Sequence, residues 1–518
     1  MSRLPTYQMV RWWFPRLLAA IYLIAFASWG VQYQGLVGRD GISPAEVRIK
    51  GLHAAEAQSG KSLLHRFPAL QYFNASDEFA LGLIATCCGL SVLVIAGVAQ
   101  RWLLLALWLG YLSISVTGDV FMSFQWDALL LEAGLLAVWL APGRWWTGRA
   151  PPPPPRGSVF LLHWLLFRLM LLSGVVKYWS GDEVWRDMTA LIHHYQTQPL
   201  PHVLSWFTHH LPRELHIASC WIMYGIELVL PFGIFCGRWG RLVACAGFVA
   251  IMAVVFFTGN YNFFNLLTAV LAFTLLDDSW WPRRLRARFG AAVAEAPGGA
   301  AHSRDGLLVY FQRIGSAFVM AAVVGLTLTA ADASLAGRRI GSYAGYLPSW
   351  LYERIYVPVA PLRSFNAYGL FQDMTVERPE IILEVSDDGI LWFALEFKWK
   401  PGDLKRAPRW AAPHQPRLDW QMWFAALYPG YDPRRDAHPG SGNAWFGEFL
   451  AALLQQKQPV WDLLEPPPLP QKSIRHIRAR LYRYHFTDPA TRAATGEWWR
   501  REFLGAYSPS FSLPNPVP

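Results

Sequence analysis

The sequence predicts a polytopic α-helical membrane bundle of about nine spans, followed by a mainly β, sandwich-like soluble domain with appended helices. Two observations lead to this fold class. The 518 residues are 53% hydrophobic, and the long apolar runs are concentrated before about residue 332. The remainder is rich in proline and charged residues and has few long apolar runs. We therefore expect a membrane domain over residues 1–335 and a soluble domain over residues 336–518.

Nine apolar runs are candidate membrane spans. A perpendicular crossing needs about 20 residues, and several of the runs are shorter than that. The fourth and eighth runs are the weakest candidates. The runs are Trp12–Tyr33, Phe79–Val98, Trp102–Thr117, Ala128–Ala141, Val159–Trp179, Ile217–Phe235, Leu242–Thr258, Phe263–Leu276 and Leu308–Ala330.

The loops between these runs alternate in charge. One set contains almost only arginine, whereas the other holds acidic residues such as Asp40, Asp119 and Asp187. The positive-inside rule then places the N-terminus in the cytoplasm, and nine crossings place the soluble domain on the opposite side. Because the arginine-rich loops explain the net charge of +10, no nucleic-acid partner is expected. The arginine-rich composition and the outward-facing domain fit a bacterial inner-membrane protein with a periplasmic C-terminal domain.

The C-terminal part contains two strand signals. Ile381–Val385 and Leu391–Lys398 flank Asp388-Gly389, a dipeptide that favours the type I′ turn of a β-hairpin. Ile474–Phe486 alternates between apolar and polar residues, as a half-buried strand does. The apolar stripe of Phe446, Phe449 and neighbouring leucines predicts a helix that packs on the core. These elements favour a β-sandwich with added helices.

Four of the ionisable residues within or at the ends of the predicted spans are candidates for a function. They are Glu132, Arg168, Lys177 and Glu227. A charge at the bilayer centre costs about 2.5–3.5 kcal/mol, so these side chains are expected to face the bundle interior and to pair. Arg168 can pair with Glu227 or with Glu132. Lys177 has three interpretations: it reaches the membrane interface, it pairs with Asp182, or it is a base with a pKa lowered by partial burial.

Leu169–Pro201 changes from an apolar helix into a dense polar and aromatic loop. Polar groups at a membrane edge are costly, which indicates a functional surface. Its candidate residues are Trp185, Arg186, Asp187, His194, Tyr195 and Gln198. The neighbouring His193-His194 and His209-His210 pairs lack carboxylate or cysteine ligands at suitable spacing. We therefore expect no metal and no other cofactor.

Two further segments contain polar candidates. Gly259–Asn265 joins two predicted spans, and its asparagines are expected either to satisfy helix-end backbone groups or to bind a polar group; they are Asn260, Asn262 and Asn265. Ala412–Phe424 predicts an Arg417–Asp419 pair among aromatic residues that form either a core or an exposed surface for apolar client segments. Its candidates are His414, Gln415, Arg417, Asp419 and Trp420. No nucleophile elbow, P-loop, dinucleotide fingerprint or HExxH context is present, so a hydrolase, an ATPase and a dehydrogenase are all unsupported.

These segments resemble the lipase maturation factor family. The matching motifs are Gly35-Leu36 with Gly38-Arg39-Asp40-Gly41-Ile42, Trp185-Arg186-Asp187, His194-Tyr195 with Thr197-Gln198-Pro199, Gly259–Asn265, Tyr368-Gly369-Leu370-Phe371 and Ala412–Leu427. The resemblance as a whole extends from the first span to Trp499. The resemblance implies a membrane protein that helps secreted lipases to fold and assemble, with its soluble domain on the lumenal or outer side.

The membrane part alone has a more distant resemblance to vitamin K-dependent γ-glutamyl carboxylase. Leu169–Trp185 is similar to the region of that enzyme that carries a lysine pair with a role as base. Lys177 matches the second lysine, whereas Val176 stands at the position of the first. The resemblance makes Lys177 the candidate base.

Two hypotheses of function follow. The leading one is a non-enzymatic maturation or chaperone factor that contacts membrane lipids and an exported, lipase-like client protein. The alternative is a membrane enzyme that acts on a lipid-like cosubstrate or an exported peptide with Lys177 as base. A polar pocket at Lys177 that opens sideways to lipid favours the enzyme, and a lysine paired with Asp182 without a cavity favours a scaffold. Transport is less supported, because no repeated halves are visible.

Overall fold

The computed structural model describes residues 6–148, 151–288, 305–336, 345–436 and 443–512. Helices of six or more residues are α1 Gln8–Gly30, α2 Ala45–Ser59, α3 Asp77–Ala96, α4 Gln100–Thr117, α5 Gln125–Leu140, α6 Arg156–Trp179, α7 Ala190–Thr197, α8 Val203–His209, α9 Arg213–Gly233, α10 Gly237–Thr258, α11 Phe264–Phe273, α12 Arg283–Arg288, α13 Asp305–Ala336, α14 Arg417–Ala426, α15 Ala444–Leu454 and α16 Pro489–Thr495. The strands are β1 Arg378–Ser386, β2 Phe393–Leu395, β3 His476–Phe486, β4 Trp499–Ala506 and β5 Phe511–Ser512.

Among the described residues, six helices are long and apolar enough to cross a membrane: α1, α3, α6, α9, α10 and the Ile314–Leu335 segment of α13. The prediction of nine spans was therefore wrong. The other three runs form α4, α5 and α11, of which α5 has 16 residues and α11 has 10. Most of α5 is buried by its neighbours. An apolar run alone does not distinguish a membrane-crossing helix from a shorter one buried among other helices.

The bundle has two different ends. At one end, the backbone amide of Gln8 at the start of α1 donates to Asp278 after α11 at 2.9 Å, and Arg101 donates to the carbonyl of Ala141 after α5 at 2.8 Å. At the other end, α1 finishes beside the C-terminal part, where Ser28 Oγ lies 3.0 Å from Nδ1 of His414. The C-terminal part therefore covers the end of the bundle opposite the start of α1. This placement agrees with six long apolar helices because α4, α5 and α11 also run between the two ends of the bundle.

The strands form one antiparallel sheet within the described part of the chain, in the order β2-β1-β3-β4, with β5 beside β3. The predicted strands appear as β1 and β3, which pair along nine residues. The predicted sandwich was wrong, because α14 packs on β1 and α15 on β3 where a second sheet was expected. The hairpin also has a longer connection than a two-residue turn, since Asp388 Oδ1 accepts hydrogen bonds from the amides of Ile390 and Leu391.

A buried ion pair docks this part onto the bundle. The two terminal nitrogens of Arg417 at the start of α14 each lie 2.8 Å from an oxygen of Asp127 on α5, and one of them also donates to the carbonyl of Phe121 at 2.6 Å. Both side chains are buried. The predicted Arg417–Asp419 pair was wrong, because Asp419 accepts hydrogen bonds from the amides of Trp399 and Lys400. Asp419 was predicted as the partner of Arg417 because it is close in sequence, whereas the actual partner, Asp127, is 290 residues away in the chain.

The segment before α14 reaches α1. The backbone amide of Gln415 donates to Ser28 Oγ at 2.9 Å, and that of Arg417 donates to Gln32 Oε1 at 2.9 Å. Burial, with the charges of Arg417 and Lys398, lowers the pKa of His414 to about 4. Trp420 is buried against Trp126, so this aromatic residue belongs to the interface core.

We expect stability to depend on pH through His414. The unfolded histidine has a pKa of about 6.5, so between pH 6.5 and 4 protons bind preferentially to the unfolded chain. The contribution of His414 is complete above this range and is lost as pH falls through it. The melting temperature of the purified protein should fall over this range, with a shallower slope in His414→Asn, which retains an acceptor but does not titrate. His65→Asn, at an exposed histidine, is the control, and equal slopes in all three proteins would contradict the assignment.

Candidate functional site

A cavity of about 310 Å³ lies between α6, α9 and α10; we call it the membrane cavity. Ile222 of α9 and Val254 of α10 line it and are also 62% and 57% exposed on the outside of the bundle, so the cavity opens sideways between these helices. Its wall is largely apolar. The lining residues are Leu169, Met170, Ser173, Lys177, Trp185, Leu191, His194, Tyr195, Ser219, Ile222, Met223, Ile226, Glu227, Ala250, Ile251, Met252, Val254, Val255, Thr258, Phe264, Leu370 and Phe371.

Lys177 and Glu227 form the charged end of the membrane cavity. Lys177 Nζ lies 2.9 and 2.7 Å from the two carboxylate oxygens of Glu227 and donates to the carbonyl of Ser173 at 3.2 Å. Lys177 is only 3% exposed, so it neither reaches the interface nor pairs with Asp182. Asp182 accepts hydrogen bonds from the amides of Val184 and Met374. Both of the simpler predictions for Lys177 were therefore wrong.

A π-helical turn at Gly225–Val229 carries Glu227 within α9. Such turns insert one extra residue and change the direction of the side chains around them. A Cβ at Gly174 of α6 would lie 2.9 Å from Glu227 Cβ, so only glycine allows the two helices to approach this closely. The sequence contains no recognised signal for a π turn, which is why the Lys177–Glu227 pair was missed.

Arg168 pairs with Glu132 inside the bundle, one of its two predicted partners. Its other terminal nitrogen donates to the carbonyl of Asn366 at 2.7 Å, and the hydroxyl of Tyr368 donates to Glu132 at 2.7 Å. Asn366 and Tyr368 belong to the segment that leads from the bundle to the sheet. The Arg168–Glu132 pair therefore holds the residues immediately before Leu370 and Phe371 against the membrane helices.

The predicted loop candidates separate into two groups. Trp185 is buried, donates from Nε1 to the carbonyl of Phe371 at 3.0 Å, and has its ring centroid 5.5 Å from Lys177 Nζ. His194 and Tyr195 also line the membrane cavity. Arg186 and Asp187, in contrast, are exposed and do not line it. The structure thus brings only part of the motif to the site.

A hydrogen-bond chain determines the orientation of His194. The hydroxyl of Tyr261 donates to Gln198 Oε1 at 2.8 Å, and Gln198 Nε2 donates to the carbonyl of Thr258 at 2.7 Å. The single hydroxyl proton of Tyr261 is thereby used, so His194 Nε2, 3.3 Å away, is the donor to the Tyr261 oxygen. Burial, with the charge of Lys177, lowers the pKa of His194 to about 4. The ring is therefore neutral at pH 7, and Nδ1, which has no hydrogen-bond partner among the described residues, can act as an acceptor.

The three asparagines after α10 differ in role. Asn260 accepts hydrogen bonds from the amides of Ala411 and Ala412 and so links this loop to the C-terminal part. Asn262 accepts from the amide of Phe264 at the start of α11, as expected of a helix-end residue. Asn265 is buried, and neither of its amide atoms has a hydrogen-bond partner among the described residues. No group of three or more metal-binding side chains is assembled within the described ranges.

A second cavity of about 480 Å³, the outer cavity, lies on the other side of Leu370 and Phe371. The two cavities share these residues and also Val255 and Phe264. Phe371 has a φ of 54°, an uncommon backbone conformation for a bulky residue. The outer cavity is lined by Ser123, Phe124, Gln125, Trp126, Pro199, Val255, Tyr261, Phe264, Gly369, Leu370, Phe371, Gln372, Asp373, Met374, Thr375, Trp420, Trp423, Phe424 and Leu427.

Several interface residues were not among the sequence candidates. Asp127 lies just before the predicted Ala128–Ala141 run, and the structure places it in the first turn of α5. Arg378 is fully buried and donates to the carbonyl of Pro199 at 3.0 Å, which fixes the loop after α7 to β1. Phe371 was noticed only as part of the Tyr368–Phe371 motif.

Both parts of the chain are similar to known proteins. A model of the lipase maturation factor transmembrane domain matches residues 9–283, and one of the C-terminal domain of the same family matches residues 364–509. Lipase maturation factor 2 of Homo sapiens is 34% identical over 100% of this chain and 84% of its own length. The Gallus gallus protein of that name is 34% identical, with 96% and 81% covered. Lipase maturation factor 1 of Homo sapiens is 31% identical, with 96% and 87% covered.

No solved structure matches the chain. The similarity to this family nevertheless extends through both the helical bundle and the sheet-containing part. The matched ranges include all of the residues that line the membrane cavity and the outer cavity. The chain is therefore a multi-pass membrane protein that belongs to the lipase maturation factor family.

Proposed function

We propose that this chain is a membrane-anchored maturation factor that assists the folding or assembly of exported lipases or related clients. The observation that carries the proposal is the end-to-end similarity to proteins named lipase maturation factors. The similarity includes both the bundle and the C-terminal part. We therefore propose that both parts take part in the function and that the bundle is more than a membrane anchor for the C-terminal part. The client would be a protein, engaged by non-covalent contacts.

The outer cavity supports this proposal by its chemistry. Aromatic side chains line it, and its rim residues Phe424 and Leu427 are 37% and 45% exposed. Tyr428, beside them, is 46% exposed. An incompletely folded protein exposes apolar segments, and large aromatic side chains bind such segments with little loss of conformational entropy. We therefore assign client contact to this rim.

The distribution of arginine supports a proposed orientation. Arg11 and Arg101 each donate to a backbone carbonyl at the end of the bundle remote from the C-terminal part, and Arg241 pairs with Asp277 at the same end. The positive-inside rule then assigns this end to the cytoplasm. We propose a bacterial inner membrane as the location, with the C-terminal part and the outer cavity facing the periplasm, where an exported client is encountered.

The double substitution Phe424→Ser and Leu427→Ser should reduce maturation. Because the rim loses its exposed apolar surface, we expect a several-fold decrease in active secreted lipase per amount of lipase synthesised. The assay measures lipase activity and lipase protein in cells that lack the natural gene and carry each variant. Ile390→Ser, at an apolar residue that is 78% exposed on the β1–β2 connection, is the matched control. Full lipase maturation by the rim variant would contradict the assignment.

A second candidate function is a membrane enzyme with Lys177 as base. The observation that favours it is the position of Lys177 in a cavity that opens sideways between α9 and α10. The three ammonium protons of Lys177 are already directed to Glu227 and Ser173, so this lysine would have to leave Glu227 before it accepted a proton. This requirement is why maturation without chemistry is our leading proposal.

Removal of the Lys177–Glu227 pair distinguishes the maturation factor from the membrane enzyme. Lys177→Met alone leaves Glu227 buried without its partner, which costs about 3–5 kcal/mol, whereas the double variant Lys177→Met and Glu227→Leu replaces both charges by apolar groups. We expect the double variant to melt near the wild-type temperature and to support normal lipase maturation. A correctly folded double variant without any maturation activity would favour the enzyme and contradict our leading proposal.

A further inference from the structure

The membrane cavity is elongated along the bundle. Its lining on α6 extends from Leu169 to Lys177, a rise of about 12 Å. The Leu169 end is apolar, and the Lys177 end is polar and lies next to the C-terminal part. The opening between α9 and α10 leads sideways out of the bundle, since Ile222 and Val254 are exposed on its outer surface. This shape and polarity match one hydrocarbon chain of a lipid with its head towards Lys177.

The route to the aqueous side is obstructed. Trp185 donates to the carbonyl of Phe371, and His194 packs edge-on against the Phe371 ring at a centroid distance of 5.2 Å. Leu370 and Phe371 thus form the wall between the membrane cavity and the outer cavity. A ligand of the membrane cavity would therefore enter from the lipid phase through the lateral opening.

The hydrogen-bond donors and acceptors at the Lys177 end of the membrane cavity determine which lipid head group can bind there. Lys177 has three donors, and all three are used by Glu227 and Ser173. Each carboxylate oxygen of Glu227 retains acceptor capacity, and His194 offers Nδ1 as a further acceptor. Ser219 and Tyr195 also line the cavity, and a hydroxyl group can donate or accept. A head group that donates hydrogen bonds is therefore favoured.

The charge of the lining further restricts which lipid head groups can bind. The Lys177–Glu227 pair has no net charge, and both side chains are buried. A carboxylate or phosphate head would add an uncompensated charge at low dielectric, beside an existing carboxylate. A head that lacks donors would leave Nδ1 of His194 and the remaining lone pairs of the Glu227 carboxylate without a donor. An uncharged head with hydroxyl groups meets both conditions.

We propose that the membrane cavity binds one hydrocarbon chain of an uncharged, hydroxyl-bearing lipid of the acylglycerol class. Its hydroxyl donates to Glu227 or His194, and its chain lies along Leu169, Met170 and Ile251. This inference rests on the cavity alone and not on the proposed role in lipase maturation.

Photolabelling of the full chain in phosphatidylcholine nanodiscs tests the proposal. A monoacylglycerol and a fatty acid with the same diazirine-bearing chain are compared at equal concentration, with labelled residues identified by mass spectrometry. One hydrogen bond to a charged acceptor is worth about tenfold in binding, so we expect the monoacylglycerol to label cavity residues about tenfold more strongly. Ala250→Trp should reduce that labelling, because Ala250 lines the exposed mouth of the cavity.

Ala253→Trp is the matched control, since Ala253 is exposed on the same helix but does not line the cavity. Equal melting temperatures of the two variants show that neither has disrupted the fold. Equal or stronger labelling by the fatty acid overturns the head-group assignment, and labelling unchanged by Ala250→Trp overturns the site. Because the readout is labelling of purified protein, a failed lipase-maturation assay has no effect on either outcome.

Discussion

The buried pair between Arg417 and Asp127 is the interaction on which the site depends. Each side chain is 1% exposed, so each would be strongly destabilising without its partner. Arg417 begins α14, Asp127 lies in the first turn of α5, and the amide of Arg417 also donates to Gln32 after α1. One residue thereby fixes the C-terminal part to two elements of the bundle. The guanidinium suits this role because it makes two parallel bonds to the carboxylate and a third to the carbonyl of Phe121.

Because of this docking, each cavity is lined by residues from two distant stretches of the chain, the bundle and the C-terminal part. Leu370 and Phe371 come after the last long helix, yet they close the membrane cavity that α6, α9 and α10 form. Trp420 and Phe424 of α14 complete the outer cavity opposite Phe124 and Trp126. The bundle without the C-terminal part would have an open membrane cavity and no outer cavity. The family relationship through both parts agrees with this shared construction.

Local patterns in the sequence predicted secondary-structure elements correctly, but they did not predict which charged side chains pair. The β1 and β3 strands and the buried stripe of α15 follow from short-range alternation and helical spacing, and all three are present. Lys177 and Glu227 were identified as intramembrane charges, but their pairing depends on a π turn that has no sequence signature. Asp182 and Asp419 were predicted as partners because they are near in sequence, whereas the actual partners lie 50 and 290 residues away. The span count failed for a similar reason, since burial of α5 and α11 depends on neighbours that a local apolar run does not reveal.

A double-mutant cycle between Asp127→Asn and Arg417→Met tests the docking most directly. The free energy of unfolding of the full chain would be measured in detergent for the wild type, the two single variants and the double variant. Because each single substitution leaves the other charge buried without its opposite charge, whereas the double variant has neither charge, we predict that the double variant is less destabilised than the sum of the singles by about 1–3 kcal/mol. Additivity within about 0.5 kcal/mol would contradict the account, because independent sites add within that margin.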